Sequence, residues 1–275
     1  MNANNQDFSQ DLVAHGYAVL RQCIDKSLIT EYQQAVIYRL GQLLDEANVE
    51  PQGDIYLDFL QALELSRQFD IQVALTKFLV YKELHKKLFL QQEVLEQLIF
   101  ALGPDLEYHY NGEMVVNVKD VQDGYLVKKF HQEYWSGIGI DALQTWTPIA
   151  IKPEMGGIEM VDGSHLWGHI PHRNREPMEI PSDAQYQELH LEEGDMAIFH
   201  PLLLHRTVPN KHEHPRFAVA LEVRNFNCPD TGFKELLNWE GFHYSPLSQI
   251  KKRLGNPHLS PFRTYGSQRT EFFRK

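Results

Sequence analysis

The sequence predicts an α+β protein with a mainly β core and a helical N-terminal region. Helical periodicity fills the first hundred residues, and from Glu113 onward the pattern changes to short runs of β-branched and aromatic residues separated by Gly, Pro, Asn and Asp. No Pro- or Ser-rich linker separates the two parts. Many short strands joined by such turns indicate a sandwich or a jelly roll, with the helices packed on one face of its sheet.

The chain is long enough for one large globular domain. It has 275 residues, of which 43% are hydrophobic, and this is sufficient for a substantial core. We therefore expect a single domain over residues 1–275, with mainly helical support over 1–104, the β core over 105–226 and a C-terminal extension over 227–275.

Helices are predicted in three stretches of the N-terminal region. Apolar residues recur at helical spacing over 28–44, and Asp25 or Ser27 is placed to cap this helix. The same periodicity runs over 54–69 and 71–102, and Gly103 followed by Pro104 ends the helical part. These apolar stripes are packing faces.

Strands are predicted wherever a short run is rich in β-branched or aromatic residues and is bounded by turn-forming residues. The runs cover residues 114–118, 125–130, 143–151, 158–161, 195–199, 203–208 and 217–223.

Composition excludes several classes of function. The net charge of −11 comes without a basic stripe, so nucleic acid and anionic membrane surfaces are not expected partners. Cys23 and Cys228 are too few and too far apart to form a disulfide framework or a thiolate metal site. With no signal-like N-terminus and no apolar run of membrane length, we expect a cytoplasmic protein that acts on a small molecule. The oligomeric state stays open.

The motif His131-Gln132-Glu133 is the main candidate for chemistry. In an extended strand, side chains at positions i and i+2 point to the same face, so an imidazole and a carboxylate would lie side by side. His205 is the best candidate for a third ligand, with His200 as a rival. Two histidines and one carboxylate on one face of a metal leave the opposite positions open, which suits non-heme Fe(II) oxygen chemistry.

Further motifs follow Glu133 in a fixed order. Taken together with that pair, the series resembles the phytanoyl-CoA dioxygenase family of Fe(II)- and 2-oxoglutarate-dependent oxygenases, and GYAVL at 16–20 is similar to the family's opening. The resemblance implies a double-stranded β-helix in which distant residues meet on one iron. It rests on QTWTP at 144–148, GGIEMVDGSH at 156–165, GDMAIFH at 194–200, HRTVPN at 205–210 and RFAVA at 216–220.

Glu133 departs from the family, which usually has Asp at this position. The charge and the ligand type are kept, so we expect iron binding to survive. A small residue would have vacated a coordination site for halide, so the carboxylate argues against a halogenase.

The segment after His205 is predicted to bind the cosubstrate. Thr207 would share the inward face of the strand, and a guanidinium at Arg216 could clamp a carboxylate with two charge-assisted hydrogen bonds. The resemblance implies that these two residues bind the far carboxylate of 2-oxoglutarate and that Trp146 walls its pocket. The charges of Fe(II), one carboxylate, a dianion and one guanidinium cancel, which a buried site requires. Asn117 and Lys119 are weaker candidates, since a Lys that flanks a strand is usually solvated.

The substrate is less constrained than the cofactors. Tyr134, Trp135 and His165 are candidate contacts, and the loop with His169 and His172 could cover the site, although a solvated loop is the ordinary interpretation. A polar and aromatic mouth favours a small polar metabolite, a sugar or a natural product, hydroxylated with release of succinate and CO2. A cupin-like metal isomerase, a dioxygenase without cosubstrate and a noncatalytic jelly-roll binding protein remain alternatives.

Overall fold

The structure is a computed structural model that describes residues 3–110, 112–121, 126–227 and 239–254. Its helices occupy mainly the first hundred residues, as the apolar periodicity predicts. They are α1 (Ala3–Ala14), α2 (Lys26–Glu46), α3 (Ile55–Leu65), α4 (Gln68–Tyr81), α5 (Leu84–Phe89), α6 (Gln92–Leu102) and α7 (Pro246–Arg253).

Two facing sheets and a short hairpin make up the β part. The strands are β1 (Tyr17–Leu20), β2 (Leu106–His109), β3 (Glu113–Asn117), β4 (Ala142–Ala150), β5 (Ile158–Val161), β6 (His172–Arg173), β7 (Glu176–Pro177), β8 (Tyr186–Leu189), β9 (Met196–Phe199), β10 (His205–Thr207), β11 (Arg216–Asn225) and β12 (Trp239–His243).

Antiparallel pairing gives a seven-stranded sheet in the order β1-β9-β4-β11-β2-β12, with β3 also paired to β11. A three-stranded sheet in the order β10-β5-β8 forms the second layer, and β6 pairs with β7. This mixture of N-terminal helices and jelly-roll sheets is the predicted fold class, a double-stranded β-helix. The sheet includes β1 and β12, so its strands extend beyond the predicted core limits of 105 and 226.

Strand β11 shows how the large sheet separates two cores. Phe217, Val219 and Leu221 point to one face, where they join the cluster formed with the helices. Ala218 and Ala220 point to the other face and pack in the cluster between the two sheets. The alternation follows from the two-residue period of a strand, and it places Arg216 on the inner face at the start of β11.

The helical region departs from the prediction at one point. The expected helix over 71–102 is divided into α4, α5 and α6. The first break lies at Glu83, whose φ of 55° is in the left-handed region and ends the regular hydrogen bonding of α4. Apolar periodicity survives the break because each shorter helix still buries its own face, with Leu75, Leu84 and Leu88 all in the core.

The strand predictions need correction in two ways. No strand forms over 126–130, and Tyr125 lies outside the described residues. Strands β1, β2, β6, β7, β8 and β12 were not predicted. Several of them, such as Tyr186–Leu189, are polar and lack the β-branched enrichment on which the prediction depends.

Two predictions from composition can be compared with the structure. None of the described helices is long and apolar enough to cross a membrane. Cys23 is a buried free thiol, and Cys228 lies outside the described part of the chain.

Candidate metal centre

His131, Glu133 and His205 come together in the structure. One potential ligand atom from each residue lies within 4.8 Å of the others, and all three side chains are buried. Glu133 Oε1 is 3.2 Å from His131 Nε2 and 3.5 Å from His205 Nε2. The fold therefore places the three predicted ligands side by side, although His131 and His205 are more than seventy positions apart in the sequence.

Strand β10 carries His205, and backbone pairing brings His131 beside it. The two residues exchange both backbone hydrogen bonds, at 2.9 and 3.0 Å, in an isolated β-bridge. One further backbone bond, from Thr207 N to Lys128 O, continues this pairing. The segment ahead of Glu133 thus lies along the free edge of β10.

The expectation that His131 and Glu133 share a regular strand is corrected by the structure. Glu133 begins a short 3-10 helix, Glu133–Ser136. The chain turns because buried Gln132 is held from three directions: its amide donates to Gly168 O and Leu202 O, and its oxygen accepts from Ile170 N. The two ligands converge through this turn and not through strand alternation.

Hydrogen bonds set the orientation of both imidazoles. His131 Nδ1 lies 2.8 Å from Lys129 O, and His205 Nδ1 lies 3.0 Å from Leu203 O. A carbonyl can only accept, so each Nδ1 carries the proton and each Nε2 presents a lone pair toward Glu133. Such second contacts fix the tautomer and the ring plane of metal-binding histidines in proteins.

Burial and neighbouring charges keep His131 and Glu133 in the form that binds a cation. Burial, together with the neighbouring His205, lowers the pKa of His131 to about 4, so its ring is neutral near pH 7. Burial alone would raise the pKa of Glu133, but the Lys128 ammonium holds it well below its ordinary value. These two residues therefore offer a neutral nitrogen and a carboxylate.

His200, the rival for the distal position, is engaged elsewhere. Its Nδ1 accepts a hydrogen bond of 3.1 Å from Leu202 N, and its ring lies 5.8 Å from the ring of His165. Among the described residues, the group that could hold a metal contains His205 and not His200.

Arg216 lies deep in the protein, with only 1% of its surface exposed. Its Nη1 donates to Met155 O at 2.8 Å and to Val208 O at 3.3 Å, and its Nη2 donates to Asn117 Oδ1 at 2.5 Å. All three acceptors are uncharged, and no ion pair of Arg216 is found among the described residues. Burial lowers the pKa of Arg216 to about 10, which still leaves it cationic near neutral pH.

Arg216 is not among the residues that line the cavity of the triad, but Trp146, which contacts its guanidinium, is. The Trp146 ring centroid is 5.7 Å from Arg216 Cζ, and both Trp146 and Thr207 line the cavity that contains the three ligand side chains. Asn117 is the cross-strand neighbour of Arg216 and orients it. Lys119 instead pairs with Glu213 at the surface.

The three residues suggested as substrate contacts do not line this cavity. The 3-10 turn carries Trp135 into a separate apolar cluster with Val161 and Leu204, where its ring stacks on His172 at 4.3 Å. Tyr134 packs at the edge of that cluster, 5.3 Å from His169. His165 Nε2 is 3.2 Å from the carbonyl of Val13 in α1. Substrate contact by these three residues stays a prediction, and it would require a substrate that extends beyond this cavity.

Helix α4 supplies the cavity wall that the sequence interpretation missed. The cavity has a volume of about 290 Å³. A signal for this wall exists in the sequence, because α4 is apolar on two sides: Ile71, Leu75 and Leu79 face the core, while Val73 and Val80 face the cavity. A helix with apolar residues on two sides has a second surface to cover.

Besides the three ligands and the two valines, the cavity is lined by Phe69, Gln72, Thr76, Lys77, Glu113, Met114, Val115, Leu126, Lys128, Gln144, Trp146, Ile158, Phe199, Thr207 and Ala220.

Comparisons with known proteins agree with this geometry. A solved non-heme monooxygenase, ThoJ in its apo form, has a TM-score of 0.60 at 15% identity, covering 98% of this chain and 99% of that one. The epimerase SnoN, solved with Fe³⁺, alpha ketoglutarate and nogalamycin RO, has a TM-score of 0.53 at 16% identity, covering 82% and 85%. These likenesses concern the fold.

Sequence relatives point the same way. A 1-deoxypentalenic acid 11-beta-hydroxylase from Streptomyces exfoliatus is 22% identical over 245 residues, which is 82% of each chain, and one from Streptomyces arenae is 22% identical over 246 residues, again 82% of each. The family model of phytanoyl-CoA dioxygenase matches residues 12–218, a stretch that contains the triad and Arg216. This chain belongs to the phytanoyl-CoA dioxygenase family.

Proposed function

We propose that this protein is an oxygenase that hydroxylates a small natural-product-like molecule, with 2-oxoglutarate as cosubstrate and with release of succinate and CO2. Members of the family use Fe(II), 2-oxoglutarate and O2. The observation that carries the proposal is the buried metal triad together with buried Arg216. Trp146 lines the cavity of the triad and also contacts the Arg216 guanidinium. In this role His131, Glu133 and His205 hold the metal.

The donor set fits a divalent iron. The two Nε2 lone pairs and the Glu133 carboxylate are all acceptors, and they converge within 4.8 Å of one another. Three acceptors facing each other repel unless a cation lies among them. Two imidazoles and one carboxylate leave open positions on the opposite side, which non-heme Fe(II) oxygenases need for cosubstrate and oxygen.

Arg216 fits the far carboxylate of a dicarboxylic keto acid. A buried guanidinium that is bonded only to neutral acceptors leaves an uncompensated charge, and its Nε has no partner among the described residues. Thr207 can add a hydroxyl contact from β10, and the Trp146 ring can cover the face of the cosubstrate. Truncating such a partner of a buried charge pair costs about 2–5 kcal/mol.

The protein's part in the reaction is to place groups and to exclude water. Bound iron supplies the oxidising chemistry, which is the cofactor's own. Carbonyl contacts hold both imidazoles in the binding tautomer, and Asn117 aims the Arg216 fork. Apolar Ile158, Phe199 and Ala220 line the cavity beside the ligands and limit water there.

Hydroxylation is the proposed outcome, and the named activity of the Streptomyces relatives supports it. The SnoN structure carries the name of an epimerase on the same fold, so the fold alone does not select the outcome. A cupin-like metal isomerase could use the same triad. It would have no use for Arg216, and the burial of this arginine is what favours the oxygenase.

Anaerobic titration with Fe(II), with and without 2-oxoglutarate, tests the proposal. We expect a weak visible absorption band that needs both components and that is lost in Glu133→Ala. Iron binding without any change of absorbance on adding 2-oxoglutarate would favour the isomerase. Absence of iron binding would leave the noncatalytic jelly-roll binding protein as the remaining alternative. Succinate formation in air, measured against a panel of small molecules, then identifies substrates.

A further inference from the structure

We infer that the cavity-facing side of α4 is the specificity surface of this protein and that its valines select a largely apolar part of the substrate. The inference rests on the proposed function, because it takes the cavity that holds the triad to be the substrate chamber. It names the class of substrate, which the activity alone leaves open.

The first observation is the position of Val73 and Val80. Both line the same cavity as His131, Glu133 and His205, so a molecule that touches them lies in the chamber that reaches the metal ligands. They are about two helical turns apart on one side of α4. Leu126, from the segment before the triad, adds an apolar contact to the same cavity.

The second observation concerns the polar residues of this helix face. Thr76 Oγ1 accepts a hydrogen bond of 3.0 Å from Met114 N, and Gln72 Oε1 accepts one of 3.3 Å from Val116 N. Gln68 Nε2 donates to Val116 O at 2.7 Å. These side chains are therefore held against the outer edge of β3. Because Gln72 and Thr76 are engaged in this way, the apolar residues that α4 turns toward a ligand are Phe69, Val73 and Val80.

The third observation is the charge of the chamber. Lys128 and Glu113 both line it, and Lys128 Nζ is 3.6 Å from Glu113 Oε2. The two side chains are 36% and 54% exposed, so the pair is worth little in stability. Lys77 of α4 also lines the cavity, and its side chain is exposed. These two lysines and Glu113 are at least partly solvated, whereas Val73 and Val80 can offer a bound molecule only apolar contact.

These observations change the substrate class that the sequence suggested. The polar mouth was inferred partly from Tyr134 and Trp135, which lie outside the cavity. A sugar would turn several hydroxyl groups toward the valines of α4, where they would lose hydrogen bonds to water without replacement. A carbon skeleton of rings or branched chains buries its surface there instead.

Fluorescence titration with two probes tests this inference: methyl 2-naphthoate and methyl β-glucoside. The titrations use saturating 2-oxoglutarate, so that neither probe occupies the site at Arg216. We expect the ester to bind at least tenfold more tightly than the glucoside. Val73→Asp should raise the Kd of the ester by about tenfold or more, since it places a carboxylate against the ring.

Val13→Asp is the matched control, because Val13 is a helical valine that is 69% exposed on α1, away from the cavity. We expect its Kd for the ester to match the unmodified protein within twofold. Circular dichroism checks the fold of each variant. If Val73→Asp unfolds, Val73→Thr replaces it, because threonine keeps the shape of valine. We expect Val73→Thr to weaken binding of the ester a few-fold.

The inference is overturned if the ester does not bind, if it binds Val73 variants and the unmodified protein equally, or if the glucoside binds better. Binding of the ester is measured on metal-free protein as well. An intact apolar site without iron or succinate formation would count against the proposed function and not against the α4 surface.

Discussion

Glu133 carries one methylene more than the aspartate that most members of the family have at this position. The residue begins a 3-10 turn, and its carboxylate still reaches both imidazoles, at 3.2 and 3.5 Å. The longer side chain is therefore compatible with a complete triad.

Exchange of the ligands one at a time tests the metal centre. We expect His131→Ala and His205→Ala to lose Fe(II) binding, since each removes one of only three protein ligands. Isothermal titration with Fe(II) under argon gives the affinity. His200→Ala is the control and should bind normally; loss of binding there, with retention in His205→Ala, would reverse the assignment of the distal ligand.

Two substitutions separate charge from length at Glu133. Glu133→Asp keeps a carboxylate and should retain measurable iron binding and succinate formation. Glu133→Gln removes the negative charge at nearly constant size and should lose far more. Equal losses in the two variants would mean that the 3-10 turn requires the longer side chain, and the change from the usual aspartate would then be a geometric necessity.

Substitution of Arg216 tests cosubstrate binding apart from metal binding. A loss of about 2–5 kcal/mol corresponds to roughly thirty-fold to several-thousand-fold in affinity. Arg216→Ala should therefore raise the half-saturating concentration of 2-oxoglutarate by such a factor, with Fe(II) binding nearly unchanged. Arg216→Lys should recover part of it, because an ammonium supplies charge without the planar fork.

Succinate formation at saturating Fe(II) measures this effect. Arg206→Ala is the matched control, since Arg206 lies on β10 but pairs with Glu159 at the surface. An unchanged half-saturation point in Arg216→Ala would remove the main reason for preferring an oxygenase over an isomerase.

At the scale of elements, α2 and α5 are joined by a buried polar contact. Tyr32 Oη lies 3.0 Å from His85 Nδ1, and both side chains are almost fully buried. Burial lowers the pKa of His85 from 6.5 to about 4, so the folded protein keeps this ring neutral where the unfolded chain would protonate it. The contact therefore makes the helical region sensitive to acid.

The sign of this pH dependence follows from proton uptake. Between pH 6.5 and about 4 the unfolded state binds the extra proton, so the free energy of unfolding falls as pH falls, by up to about 1.4 kcal/mol per pH unit. Above pH 6.5 His85 contributes no slope. Urea unfolding of metal-free protein at a series of pH values should show a smaller slope in His85→Gln.

Exposed His190→Gln provides the comparison, because it makes the same change at a side chain that is 77% exposed. It should leave the slope unchanged. Other buried histidines contribute equally to the slope in the unmodified protein, in His85→Gln and in His190→Gln. The difference in slope between the two variants therefore isolates His85. Identical slopes would show that His85 is already neutralised in the unfolded chain or protonated in the folded one.

At the scale of the molecule, the metal should stabilise the fold. Its ligands come from β10 and from an irregular segment held to it by one β-bridge. A cation that binds only the folded state adds about 2.7 kcal/mol at one hundred times its Kd. Thermal unfolding under argon should shift upward with Fe(II), and Glu133→Ala should abolish the shift. An equal shift in that variant would place the bound ion elsewhere.

Part of this molecule could be predicted from the sequence, because some signals depend on local spacing. His131, Glu133, His205 and Arg216 were identifiable because the chemistry dictates their residue types, and because His205 and Arg216 begin two consecutive strands, β10 and β11. The division of 71–102 into three helices and the positions of Trp135 and Val73 were not identifiable. They depend on a left-handed residue, a 3-10 turn and the packing of α4, which no local pattern specifies.

The contacts between α4 and β3 also bear on how the protein behaves at high concentration. Strand β3 pairs with β11 on one side, and its other side would present the N–H groups of Met114 and Val116 as a template for a strand of another molecule. Gln72 and Thr76 occupy those groups. The helix that walls the chamber thus also protects the sheet from edge-to-edge aggregation, and a change made to α4 for a new substrate must leave these two side chains in place.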